Sequence, residues 1–215
     1  MSGSVRDDIV RVAHSIHDRG LTHGRTGNLA VRDGDRILVT PTGVSLGDVA
    51  ADELSLLEAD GTHVSGPRPT KEAFLHVAML RERPSAHAVV HTHSVHSAAL
   101  SVLEEIDPDD PLPPLTAYYG MRVGRLQLLP YAAPGDPVAT AAVERAARAG
   151  HALLLRNHGP VVAGPDLDTA LDALEELEHT AQLFFLTRGM RTAPLTPDQL
   201  AALRSRTDPR ESTPR

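Results

Sequence analysis

No cysteine occurs among the 215 residues. Disulfides and thiolate ligands are thereby excluded, so any bound metal must rest on His, Asp or Glu. Tryptophan is absent as well, and Phe and Tyr number three each, which leaves no stacking platforms for single-stranded nucleic acid. The formal net charge is −7 with no basic stripe to interrupt it, and that argues against a nucleic-acid partner. No apolar run approaches the roughly 20 residues that span a bilayer, and the opening MSGSVRDDIV lacks the apolar core of a signal peptide. These absences point to a soluble, cytoplasmic protein. What remains is ordinary globular composition, 41% hydrophobic and 23% charged, in a length suited to one domain with a large core.

Read in order, Ser4–Arg19 has Val5, Ile9, Val12, Ala13 and Ile16 at helical spacing, with Gly20 as a stop. Leu29-Ala-Val and Ile37–Thr40 are short strands joined by Asp33-Gly34. The turns beside them, Thr26-Gly27-Asn28 and Thr40-Pro41-Thr42-Gly43, expose backbone N–H groups and hydroxyls; such loops either cradle an anion or serve only as tight turns. Val49–His63 reads as a β-type segment. Prolines and a Thr70 cap then open a helix over Glu72–Glu82, which places Thr70, Lys71 and Glu72 at a helix N-terminus, where an anion is favoured. Leu115–Tyr119, Arg125–Tyr131, His151–Arg156 and Pro160–Ala163 read as strands. Val138–Ala149, Leu167–Thr187 and Pro197–Arg204 read as helices, ahead of a mobile polar tail from about residue 206. Strands linked by short hairpins, rather than by regular βα alternation, predict one α/β domain over residues 1–215. Its central sheet is expected to be largely antiparallel and covered by helices.

The chemistry concentrates in Ala88–His96, AVVHTHSVH. On a strand, His91 and His93 share a face, and two imidazoles at a strand's end make a metal pincer. A bare His-x-His is weak in a chain with 12 histidines, but a β-run precedes this one and a helix-like SVHSAALSVL follows. His158 arrives in a matching context, just past the apolar Ala152–Leu155. Three histidines at strand ends would leave a fourth coordination position open.

Thr26-Gly27-Asn28-Leu29-Ala30-Val31-Arg32, Thr40-Pro41-Thr42-Gly43, Pro69-Thr70-Lys71-Glu72, His91-Thr92-His93 and Asn157-His158-Gly159, in that order, resemble the signature of the class II aldolase/adducin family. The resemblance spans Ile9–Thr187. It implies Zn2+, or another divalent ion such as Mn2+ or Co2+, on His91, His93 and His158, with Glu72 beside it as acid/base. It implies a phosphate pocket from Asn28, Thr42, Gly43 and Thr70, and a homotetramer with sites near subunit interfaces.

Thr70-Lys71 stands where the sugar-phosphate aldolases of the family carry Ser-Ser. Together with Tyr118–Gly124 and Pro130–Pro137, this resembles the 3-oxo-tetronate 4-phosphate decarboxylase branch, which releases CO2 from a small phosphorylated sugar acid through a metal-stabilised enediolate and leaves dihydroxyacetone phosphate. A sugar-phosphate aldolase or epimerase of the fuculose-phosphate or ribulose-phosphate type is the alternative. A non-catalytic adducin-like module has no need of the three histidines and Glu72. Lys71 is an extra cation for either phosphate or carboxylate. Tyr119 is either a second proton donor or a core or interface residue. His96 is expected to pack or to support the site, and His14, His17, His23, His63, His87, His151 and His179 fit no ligand pattern.

Overall fold

The structure, a computed structural model, describes residues 4–207; the tail expected beyond them lies outside the described residues. Helix α1 (Val5–Asp18) begins at a capping box in which the Ser4 hydroxyl accepts from the Asp7 N–H and the Asp7 carboxylate takes the Ser4 N–H. A hairpin follows, β1 (Asn28–Asp33) and β2 (Arg36–Val39), turned at Gly34. The expected β-segment at 49–63 resolves into a 3-10 turn at Ala51–Glu53, then β3 (Ser55–Glu58) and β4 (His63–Ser65).

Helix α2 (Ala73–Glu82) starts one residue later than expected, with Glu72 rather than Thr70 in the N-cap position. Thr70 instead takes the Glu72 N–H on its hydroxyl and the Ala73 N–H on its carbonyl. Strand β5 (Ala88–His91) leads into α3 (Val95–Ser101). The remaining elements are α4 (Ala117–Arg122), β6 (Leu126–Leu129), α5 (Thr140–Ala149), β7 (Ala152–Leu155), β8 (Pro160–Gly164), α6 (Leu167–Leu186) and α7 (Pro197–Thr207).

The eight strands form one sheet in the order β4-β3-β2-β1-β5-β8-β7-β6. Every pairing is antiparallel except β6 with β7, which α5 connects as a crossover. The central strands are buried on both faces, which is why they read as continuous apolar runs. Leu29, Val31, Ala88, Val90 and Val162 pack toward α1 and α6. Ala30, Val89, Val161 and Ala163 pack toward α2 and α5. By the same alternation, Asn28 and His91, paired across β1 and β5, face α2.

One segment departs from expectation. Leu115–Tyr119 is not a strand: Tyr119 lies in α4, opened by Thr116, whose hydroxyl accepts the Tyr119 N–H at 2.9 Å.

Candidate metal centre

Strand β5 ends at His91, so its imidazole emerges on the face that α2 covers. His93 follows two residues later in the connection to α3. His158 comes from the tight corner between β7 and β8, where Asn157 has a φ of 55°, the one positive φ at a non-glycine among the described residues. Gly159 makes the corner possible, because a Cβ there would sit 2.2 Å from the Thr92 carbonyl oxygen. Its lack of a side chain lets the corner close onto the His91–His93 segment.

Glu72 enters from the start of α2, and one donor atom from each of Glu72, His91, His93 and His158 falls within 4.8 Å of the others. The Nε2 atoms of His91 and His158 are 3.3 Å apart, and those of His158 and His93 are 2.9 Å apart. Glu72 Oε2 lies 3.3 Å from His91 Nε2, and Oε1 lies 3.3 Å from His158 Nε2. The donor set fits a divalent cation. His91 donates its Nδ1–H to the Pro160 carbonyl at 2.8 Å, which turns the Nε2 lone pair to the centre. Burial, aided by the neighbouring imidazoles, holds His93 at a pKa of about 3 and His158 at about 4, so both rings are neutral and able to ligate. Burial pushes the Glu72 carboxyl up, but His91 and the Asn28 amide outweigh it and leave it below the ordinary carboxylate value.

Two cavities border this cluster. One, of about 270 Å³, is lined by Arg25, Thr26, Asn28, Thr42, Gly43, Thr70 and Lys71 as well as Glu72, His93 and His158. The other, of about 210 Å³, is apolar, with Phe74, Leu129, Tyr131, Val138 and Leu155 beside Glu72 and His158. A larger cavity of about 390 Å³, around Arg83 and His151, touches no member of the cluster.

The expected pocket residues Asn28, Thr42, Gly43, Thr70 and Lys71 are thus brought together beside the histidines. Asn28 is largely spent elsewhere: its amide nitrogen donates to Glu72 Oε2 at 2.9 Å, and its oxygen lies 2.5 Å from His76 Nε2. Tyr119 takes the core alternative. It is 2% exposed, packs in the hydrophobic core with α6, and lines neither cavity. Burial, with Asp110 adding to it, raises its phenol far above the ordinary value. His96 lies off the cluster, bonded to Glu178 at 2.8 Å.

Three residues were not marked by sequence reasoning. Arg25 precedes the Thr-Gly-Asn turn and lines the polar cavity. His23 brings its ring to 6.3 Å from that of His93. His76, one helical turn beyond Glu72, carried a legible signal in that spacing.

The profile of the class II aldolase and adducin N-terminal domain matches residues 7–185. A 3-oxo-tetronate 4-phosphate decarboxylase of Haemophilus influenzae is 45% identical over 199 residues, 92% of this chain and 95% of its own. An L-fuculose phosphate aldolase of the same organism is 32% identical over 186 residues, 84% of this chain and 83% of its own. The crystal structure of Escherichia coli YgbL superposes with a TM-score of 0.91 at 40% identity, covering 94% of this chain and 98% of that one. Segments 19 to 86 residues apart in sequence converge on one histidine cluster inside the matched span, and the chain belongs to the class II aldolase/adducin family.

Proposed function

We propose that this protein is a metal-dependent lyase that decarboxylates a 3-oxo-tetronate 4-phosphate to dihydroxyacetone phosphate and CO2. The observation that carries this reading over an aldolase is the pair of cations, Arg25 and Lys71, in the polar cavity. Both are exposed and without a partner among the described residues. Lys71 is the chain's single lysine beside 20 arginines. A keto acid phosphate carries two anions, whereas a sugar phosphate carries one. The relatives support the same choice, with the decarboxylase at 45% identity and the aldolase at 32%.

His91, His93 and His158 would hold the divalent ion, zinc on this reading. When bound, it supplies Lewis-acid polarisation of the substrate's keto and hydroxyl oxygens. The chain's own groups do the rest. Arg25, with Thr42 and Gly43, grips the phosphate through a planar fork suited to its oxygens. Lys71, next to Glu72, holds the carboxylate until the C1–C2 bond breaks. The electron pair stays on C2 and spreads onto the neighbouring carbonyl as an enediolate, and CO2 leaves. Glu72 then delivers to C2 a proton drawn from solvent. The active form is a homotetramer, for which Tyr118, Tyr131, Val138, Leu186 and Met190 offer exposed apolar surface.

The test supplies zinc-loaded protein with the keto acid phosphate and follows CO2. It is repeated with dihydroxyacetone phosphate, whose hydroxymethyl proton exchange needs no carboxylate. Wild type should release CO2. Lys71→Ser should raise KM for the acid and spare exchange, and Arg25→Ala should impair both reactions. No CO2 from wild type, with exchange intact, would favour the aldolase. Sedimentation of the same sample as a 23.0 kDa particle would exclude the tetramer.

A further inference from the structure

His76 is fully buried on α2, and an imidazole taken wholly out of water is a costly way to fill a core. It supplies no donor to the cluster of Glu72, His91, His93 and His158. What it touches is Asn28, whose Oδ1 lies 2.5 Å from its Nε2, while Asn28 Nδ2 lies 2.9 Å from Glu72 Oε2.

The direction of each bond follows from the far end. An ionised carboxylate only accepts, so the Asn28 amide nitrogen must face Glu72 and donate. The amide oxygen is then turned to His76, which must donate from Nε2. His76 is therefore the Nε2–H tautomer, and its Nδ1 lone pair has no partner among the described residues. Burial, with His91 nearby, holds the ring neutral by lowering its pKa to about 3. A buried nitrogen left unsatisfied is tolerated on one side of the ring, while the other side is committed to Asn28.

The fold delivers all three residues to one spot. Asn28 pairs with His91 across β1 and β5, on the face that α2 covers. Glu72 and His76 stand one turn apart on the side of α2 that meets it.

We propose that His76 is a positioning residue for the reaction: by locking the Asn28 amide in one orientation it fixes the Glu72 carboxylate over the cluster. The inference rests on the reading of Glu72 as acid/base. Without a donor at position 76, the amide is free to turn over and present its oxygen to Glu72, and the repulsion would swing the carboxylate away. A role limited to tying α2 to β1 would affect folding and leave turnover per folded molecule intact.

The experiment compares His76→Phe, which keeps ring volume without a donor, with His76→Gln, whose amide N–H can stand where Nε2–H stood. Both are made in the full-length, zinc-loaded protein. Two readouts, CO2 release and hydroxymethyl proton exchange of dihydroxyacetone phosphate, are corrected for folded fraction. The Phe variant should lose about 10–100-fold in kcat on both, the scale expected for a misplaced catalytic group, with KM and zinc content unchanged. The Gln variant should recover most of it. Wild-type kcat in the Phe variant, or no rescue by Gln, would overturn the proposal. Should the Phe variant not fold, the 15N spectrum of histidine-labelled wild type decides: an Nε2–H tautomer at His76 supports the proposal and an Nδ1–H tautomer overturns it. A wild type that exchanges the proton but releases no CO2 would sink the decarboxylase reading and leave the His76 comparison readable.

Discussion

Glu72, itself 7% exposed, is held by a neutral amide on one side and faces imidazoles on the other. A carboxylate so placed can pass a proton without changing position. Glu72→Gln keeps the shape and can still turn an oxygen to Asn28, but it cannot carry a proton. Turnover should fall by roughly 10²–10⁴-fold, with zinc content unchanged on the three histidines. Steady-state CO2 release and metal analysis on one sample check this, and wild-type turnover would pass the proton step to another group. At this scale the sequence was legible where a short-range rule applied. Alternation and a following turn marked His91, His93 and His158. The link from His76 through Asn28 to Glu72 was not, because it depends on the register that sets Asn28 opposite His91. Arg25 was missed because a lone arginine before a glycine turn has no local signature; only the fold shows that it lacks a partner among the described residues.

At the scale of elements, the segment carrying His93 is secured by a residue far along the chain. Glu178 of α6 accepts the N–H groups of His96 and Ser97, each at 2.8 Å, together with the His96 ring at 2.8 Å and the Ser97 hydroxyl at 2.7 Å. It does for α3 what Ser94 does not, since Ser94 makes no capping bond. Burial pushes the Glu178 carboxyl up, but these donors outweigh it and leave it below the ordinary value of 4.5. A depressed folded pKa means stability that is full above the unfolded value and lost as pH falls through the folded one. Glu178→Gln should therefore cost about 2 kcal/mol near neutral pH, and the gap to wild type should shrink in acid. Urea titrations at pH 7 and at about pH 3 check it; a gap independent of pH would remove the charge from the explanation. Helices α1 and α6 were readable because each has an apolar stripe at helical spacing. Helix α4 was not, since Tyr118 and Tyr119 favour a strand locally and the Thr116 cap prevailed. The parallel pairing of β6 with β7 follows from a crossover through α5, which composition cannot show.

For the whole molecule, the cluster joins three stretches of chain: the start of α2, the end of β5 with its connection to α3, and the corner between β7 and β8. Two neutral imidazoles, His93 and His158, aim nitrogens at one point with Nε2 atoms 2.9 Å apart. A divalent cation held by the three histidines would tie the end of β5 to the corner between β7 and β8. Binding only to the folded chain, it should add stability by mass action, about 2.7 kcal/mol when free zinc is 100 times the dissociation constant. For a chain of this size each kcal/mol moves Tm by roughly 2–4 °C, so zinc should raise Tm by about 5–10 °C over chelator-treated protein. His93→Ala should lose most of that increment while keeping a cooperative transition, because both hydrophobic cores are untouched. Calorimetry with zinc and with chelator reads all four conditions. A wild-type Tm indifferent to both would remove the ion from the cluster, and the three histidines would need another explanation.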